Sequence, residues 1–214
     1  MKKAVKITEQ SFKAAKDIIV PGITEKQISS KMRKVAIANG ADGLAFHTIV
    51  ASSHYDVIHS RPTDRKIRQN EFIIVDFGVR CGNTRTDVTR TYCINPDKKK
   101  KKLYNLIKIA QKKAEKVIKP GIQCSKADAA ARNYLKKHTK LKFPYGLGHG
   151  LKNKIHDKPR ISPKSKDVFK IGDLFTIEPG LHSKKIGLRI EDTYRLTKRG
   201  PIKLTKWIPN KLSV

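Results

Sequence analysis

The sequence predicts an α/β fold of two similar halves, with helices outside an antiparallel sheet. Three observations carry that expectation. Apolar residues recur at three- and four-residue steps in two separated stretches. Each stretch is broken by a Pro-Gly-Ile turn, and each is followed by a block in which apolar runs and alternating residues read as strands.

The helical stretches come first in each half. Residues 14–35 read AAKDIIVPGITEKQISSKMRKV and residues 113–134 read KAEKVIKPGIQCSKADAAARNY, with Pro21 and Pro120 lying 99 positions apart. In both, Pro-Gly stops one helix and reverses the chain, and a polar residue caps the next. Thr24 with Gln27 fits a capping box, and Ser125 with Asp128 is a weaker version of it. Leu103, Leu106, Ile107, Ala110, Ala114, Val117 and Ile118 form one apolar stripe, and Ile28, Met32, Val35 and Ala36 form another. Both stripes are read as core.

The strand blocks follow. FIIVDFGVRCGNTRTDVTRTYCI, residues 72–94, is an apolar strand, a Gly-containing turn and an alternating strand, and DLFTIEPGLHSKKIGLRIEDTYRLT, residues 173–197, repeats the plan. Asp76 and Glu178 lie 102 positions apart, Asp87 and Glu191 lie 104 apart, and both offsets match the spacing of the helix turns. One duplication accounts for all of them, covering roughly residues 1–97 and 103–200. Halves that share a sheet make a single domain, 1–214, with the run Lys98–Lys102 and Pro96 as the connector between them.

Composition bounds the function. Lys and Arg total 48 against 18 acids, for a net charge of +30, and 38% of the 214 residues are hydrophobic. That excludes a disordered tail and a collagen, and no run approaches the ~18 apolar residues of a spanning helix, so no membrane partner is expected. The first ten residues, MKKAVKITEQ, hold no signal-peptide apolar block. Cys81, Cys93 and Cys124 are odd in number and share no CxxC spacing, which favours reduced packing thiols in a cytoplasm over a disulfide scaffold or thiolate zinc site. The charge implies weak, nonspecific attraction to nucleic acid or other polyanions, without identifying a function.

Chemistry concentrates in the strand blocks. Asp76 and Glu178 each end an apolar run, and Asp87 and Glu191 sit in the return strands. An ionised acid at a buried strand end is costly unless paired or coordinated. Carboxylates converging from two facing halves would raise one another's proton affinity unless cations intervene. His149, flanked by glycines in Tyr145-Gly146-Leu147-Gly148-His149-Gly150, adds an unobstructed imidazole. Four carboxylates and one imidazole are a hard donor set suited to a pair of Mn, Co, Fe or Zn ions.

In order, Asp76, Asp87, GLGHG with His149, IHDKP with His156, FTIEPG with Glu178 and GLRIEDT with Glu191 resemble the pita-bread metallopeptidases, the methionine aminopeptidase and Xaa-Pro peptidase superfamily. The segment His59-Ser60-Arg61-Pro62-Thr63-Asp64-Arg65-Lys66-Ile67 and Asp192 resemble the prolidase and aminopeptidase P branch.

The resemblance implies the pita-bread fold and a dinuclear exopeptidase that cleaves the N-terminal bond of a peptide substrate, before proline, by way of a water shared between two divalent metal ions. Asp76, Asp87, His149, Glu178 and Glu191 would be the metal ligands, with Asp87 and Glu191 bridging. His59 and His156 would flank the substrate, and Glu178 would also accept the proton of the attacking water. A homodimer is compatible with the family. Departures are the Tyr145 that stands where Xaa-Pro peptidases commonly show a His, the Lys152 after the GLGHG motif, and the lack of the usual N-terminal domain.

Two other functions compete. A methionine aminopeptidase fits the length, but its Cys-His-Gly signature is missing. A non-catalytic module of this fold, binding ribosome or nucleic acid, fits the charge. Retention of all five ligand positions favours the enzyme, because a binding module has no physical reason to keep a costly cluster of acids. His47, His54, His138 and His182 lack motif support and are read as surface or core histidines.

Overall fold

The apolar stripes are helices. In a computed structural model describing residues 1–52, 60–152, 154–184 and 186–214, helix α1 (Lys2–Lys16) buries Ala4, Ile7, Phe12 and Ala15, and α2 (Glu25–Ala38) buries Ile28, Met32 and Ala36. Helices α3 (Lys98–Val117) and α4 (Cys124–His138) repeat the arrangement with Leu103, Ile107, Ala110 and Ala114 on one and Ala127, Ala131 and Leu135 on the other. The turns between partners require glycine, since Gly22 and Gly121 adopt φ of +92° and +82°. Each turn is tied down identically: Gly22 N–H donates to Ile67 O and Gly121 N–H to Phe169 O, both at 2.9 Å. Among the described residues no helix is long and apolar enough to cross a membrane.

Two sequence expectations about these helices need correction. The Thr24–Gln27 capping box is present, but Ser125 and Asp128 cap nothing: α4 starts at Cys124, one residue earlier, after Gln123. Asp128 is instead buried, binding both Arg132 and the Leu147 amide. The Lys98–Lys102 run is also not a connector. It opens α3, because lysine is a good helix former and the stripe from Leu103 onward anchors it. Asp97 caps that end by accepting the Lys100 N–H at 2.7 Å, a bond that holds its carboxyl below the usual range.

In chain order the first strands are β1 (Gly43–Leu44), β2 (Ile49–Ser52), β3 (Ile73–Phe77), β4 (Val79–Cys81), β5 (Thr84–Arg85) and β6 (Val88–Tyr92). They form a β2-β3-β6 sheet and a small β1-β4-β5 sheet. The later strands are β7 (Gly148–Gly150), β8 (Asp157–Ile161), β9 (Leu174–Ile177), β10 (Gly180–Ser183), β11 (Ile186–Arg189), β12 (Asp192–Thr197) and β13 (Gly200–Lys203). They form a five-stranded sheet in the order β13-β12-β9-β7-β8 and a β10-β11 ribbon. The described ladders are all antiparallel, as expected. One hydrophobic cluster fills each half, the first under α1 and α2 and the second under α3 and α4.

The halves meet where β6 faces β11 and β12, and threonines make the seam. Thr193 Oγ1 donates to Asp87 O at 2.8 Å and accepts from Asp87 N–H, while Glu191 N–H donates to Thr89 O at 3.0 Å. Thr91 Oγ1 donates to Arg189 O at 2.7 Å. Arg90, 1% exposed, crosses behind them, donating to Asp192 Oδ1, to the Thr89 and Glu191 carbonyls and to the Ile208 and Pro209 carbonyls. The run Thr89-Arg90-Thr91 therefore joins the halves, and its arginine neutralises Asp192.

Candidate metal centre

Asp76, Asp87, His149, Glu178 and Glu191 line one cavity of about 330 Å³, together with His156. Asp76 projects from β3 and Glu178 follows β9, at matching ends of the two central strands. Asp87 precedes β6 and Glu191 precedes β12, so the seam brings these two together. His149 sits in the middle of β7, between glycines that allow close approach of neighbouring strands. A Cβ at Gly148 would lie 2.1 Å from Thr176 O, and one at Gly150 would lie 1.9 Å from Lys158 O.

His149 Nε2 lies 3.4 Å from Glu178 Oε1 and 3.6 Å from Asp87 Oδ2. One donor atom each from Asp87, His149 and Glu191 fit within 4.8 Å of one another, forming a group that can hold a metal ion. The His149 ring packs edge-on to His156 with centroids 4.4 Å apart. His59, expected beside the substrate, lies outside the described residues, as does His54.

The electrostatics are those of a site short of positive charge. Burial pushes the Asp87 carboxyl well above its usual range, and Glu191, Asp76 and Glu178 push it further. Burial, then Glu178 and Asp76, does the same to Glu191. Burial raises Glu178 to about 7 against the pull of Arg189, and raises Asp76 despite the same guanidinium. His149 falls to about 4, through burial and the nearby His156, so its imidazole is neutral and available as a ligand. Asp76 Oδ1 and Asp87 Oδ1 are buried without a hydrogen-bond partner among the described residues. Orphaned carboxylate oxygens beside a neutral imidazole fit hard divalent cations.

Arg189 is the residue that sequence reasoning missed. It is buried, its guanidinium donates to Asp76 Oδ2 at 2.6 Å and to Thr89 Oγ1 at 3.0 Å, and it lies 3.9 Å from Glu178. The available signal was an arginine two positions before Glu191 in an otherwise apolar strand, on the same face by strand alternation. His47, read as a surface or core histidine, is exposed and also lines the cavity. His182 is the buried core histidine that was one of the two readings, and its Nε2 lies 3.3 Å from the hydroxyl of Tyr145, another wall residue. His138 is on the surface, and Cys93 and Cys124 are buried free thiols. Lys152 points away to pair with Asp173 at 3.1 Å.

Comparison with known proteins identifies the family and fold. The Xaa-Pro dipeptidase of Pyrococcus horikoshii is 35% identical over 210 residues, which is 96% of this chain and 60% of that protein. The prolidase structure from Pyrococcus furiosus superposes with a TM-score of 0.91 at 35% identity, covering 96% of this chain and 62% of that one. The X-Pro aminopeptidase structure from Thermotoga maritima gives 0.94 at 31% identity, over all of this chain and 62% of that one. The chain thus spans about 60% of the length of its curated relatives, and its fold is the pita-bread fold of their matching portion. Residues 1–198 match the model of metallopeptidase family M24, and the chain belongs to that family.

Proposed function

We propose that residues 1–214 form one catalytic unit, a dinuclear metal-dependent exopeptidase that removes the N-terminal residue from peptides with proline in second position. Convergence of four buried carboxylates and a neutral imidazole on one cavity carries the reading. In it, Asp76, Asp87, His149, Glu178 and Glu191 would hold two divalent cations. Bound there, the cations would act as Lewis acids on the peptide carbonyl and make a water nucleophilic at neutral pH.

The chain's own residues do the rest. Glu178 takes a proton from the attacking water and returns it to the leaving amine. His156, packed on His149 at the cavity wall, donates a hydrogen bond to the developing oxyanion. Arg189 holds Asp76 in place and offsets part of the negative charge. The walls of Phe46, Ile49 and Ile155 offer an apolar surface to the substrate side chain and the prolyl ring. The preference for proline rests on the relatives, two of which are named for Xaa-Pro cleavage.

The test is a parallel assay of the Mn- or Co-loaded protein on Xaa-Pro dipeptides, an Xaa-Pro-Xaa tripeptide and a Met-Ala-Ser peptide. Cleavage of the proline substrates alone is expected, and cleavage of the methionyl peptide alone overturns the specificity.

A further inference from the structure

A second cavity, of about 530 Å³, lies between α1 and the C-terminal segment and shares no lining residue with the metal centre. Lys6, Lys13, Lys16 and Lys211 line it, with Tyr92 and Trp207. The lysines of α1 recur every seven and three residues, along one helix face, so they form a row spanning roughly 15 Å. Among the described residues none of the four makes an ion pair, although Glu9 and Asp17 also reach the cavity. Two carboxylates against four ammonium groups leave the cavity with an excess of positive charge.

Trp207 departs from the chemistry of a merely solvated lysine surface. It is the only tryptophan of the chain, and it is 64% exposed at the edge of this row. Lys206 Nζ stands over the ring, 4.8 Å from its centroid, and the exposure of the side chain leaves ring surface open to a planar group. A row of cations beside an open indole is what a single-stranded polynucleotide needs: phosphates along the lysines and a base stacked on the ring. A second copy of this chain is disfavoured as the occupant by a net charge of +30 on each. An acidic peptide would use the lysines and leave the indole without a planar partner.

The geometry points to this groove as a binding site for a single-stranded nucleic acid, RNA being the probe, with a base on Trp207 and the backbone on Lys6, Lys13, Lys16 and Lys211. The site is independent of the peptidase reading, and the disjoint linings leave the metal centre open while RNA is bound. Because Trp207 is the only indole, its fluorescence reports on the groove alone.

The experiment titrates the full chain with a uridine 12-mer, reading tryptophan fluorescence and the anisotropy of a labelled 12-mer, with heparin as a base-free polyanion. Quenching is expected, with a log–log salt slope of about −3 if all four lysines neutralise phosphates. Trp207→Ala weakens RNA binding by roughly five- to a hundred-fold, the range of one base–aromatic stack, and leaves heparin binding unchanged. Trp207→Phe restores most of the loss. Lys13→Gln with Lys16→Gln weakens both ligands, whereas Lys136→Gln with Lys137→Gln on the exposed end of α4 weakens neither. Absence of quenching, full RNA affinity in Trp207→Ala, or equal losses from the α4 pair would overturn the proposal.

Discussion

At Asp87, burial and three neighbouring carboxylates act in the same direction, so the charged form is stable only beside added positive charge. Asp87→Ala is expected to lower the metal bound by the protein and to reduce metal-dependent turnover by more than about a hundred-fold. Equilibrium dialysis with Mn and the peptide assay check both, and full activity with full metal content would refute the ligand assignment. Glu178 gives a pH test. Its folded carboxyl titrates near 7 against a usual 4.5, so between those values the folded state keeps a proton that the unfolded state has lost. Stability of the metal-free protein from this group therefore falls as pH rises from 4.5 to 7. His149, lowered to about 4, opposes that slope between pH 4 and 6.5. Thermal unfolding of metal-free Glu178→Gln should exceed wild type at pH 8 and converge with it near pH 4.5. Equal melting temperatures at pH 8 would contradict the assignment of a strained, charged Glu178.

The elements that frame the cavity are held by buried side-chain bonds. Glu25, 1% exposed in the first turn of α2, accepts from the amide and hydroxyl of both Ser52 and Thr63. It pins the start of α2 to the end of β2 and to the segment leading to β3. Glu25→Ala leaves buried donors unsatisfied and should cost about 2–4 kcal/mol, read as a lower denaturation midpoint in urea. A loss under about 0.5 kcal/mol would mean that water replaces the carboxylate without penalty. Thr24→Ala, which removes only the exposed capping box, should cost about 1 kcal/mol.

The elements also show what was legible in the sequence. Asp76, Asp87, Glu178 and Glu191 were readable because an acid closing an apolar strand is costly without a partner, and the two halves repeat it in register. His149 was readable from its glycines, which the strand contacts require. Arg189 was not, since a lone arginine in a strand normally points to solvent and only tertiary contact shows it buried on Asp76. The Lys98–Lys102 run was misread because charge density outweighed helix propensity in the reading, whereas the downstream stripe decides the outcome. The weak Ser125–Asp128 box failed because Asp128 is spent on Arg132 and Leu147, contacts that no local pattern encodes.

Across the whole molecule, the metal centre depends on the seam between halves. Arg90 uses its guanidinium to hold Asp192, the backbone of Glu191 and the carbonyls of the C-terminal segment at once. Arg90→Met leaves Asp192 with Lys203 as its remaining ion-pair partner and five carbonyl and carboxylate contacts unmade, and should destabilise the fold by about 3–5 kcal/mol. Adding Asp192→Leu should recover part of that loss, because the buried charge disappears with its partner. A double variant as unstable as the single one, by urea unfolding, would show that the carbonyl contacts dominate instead. In the proposed function, five side chains from distant stretches of the chain hold a pair of divalent cations. Anomalous diffraction from crystals grown with Mn tests it directly: two peaks among Asp76, Asp87, His149, Glu178 and Glu191 are predicted, and peaks elsewhere, or none, would contradict it.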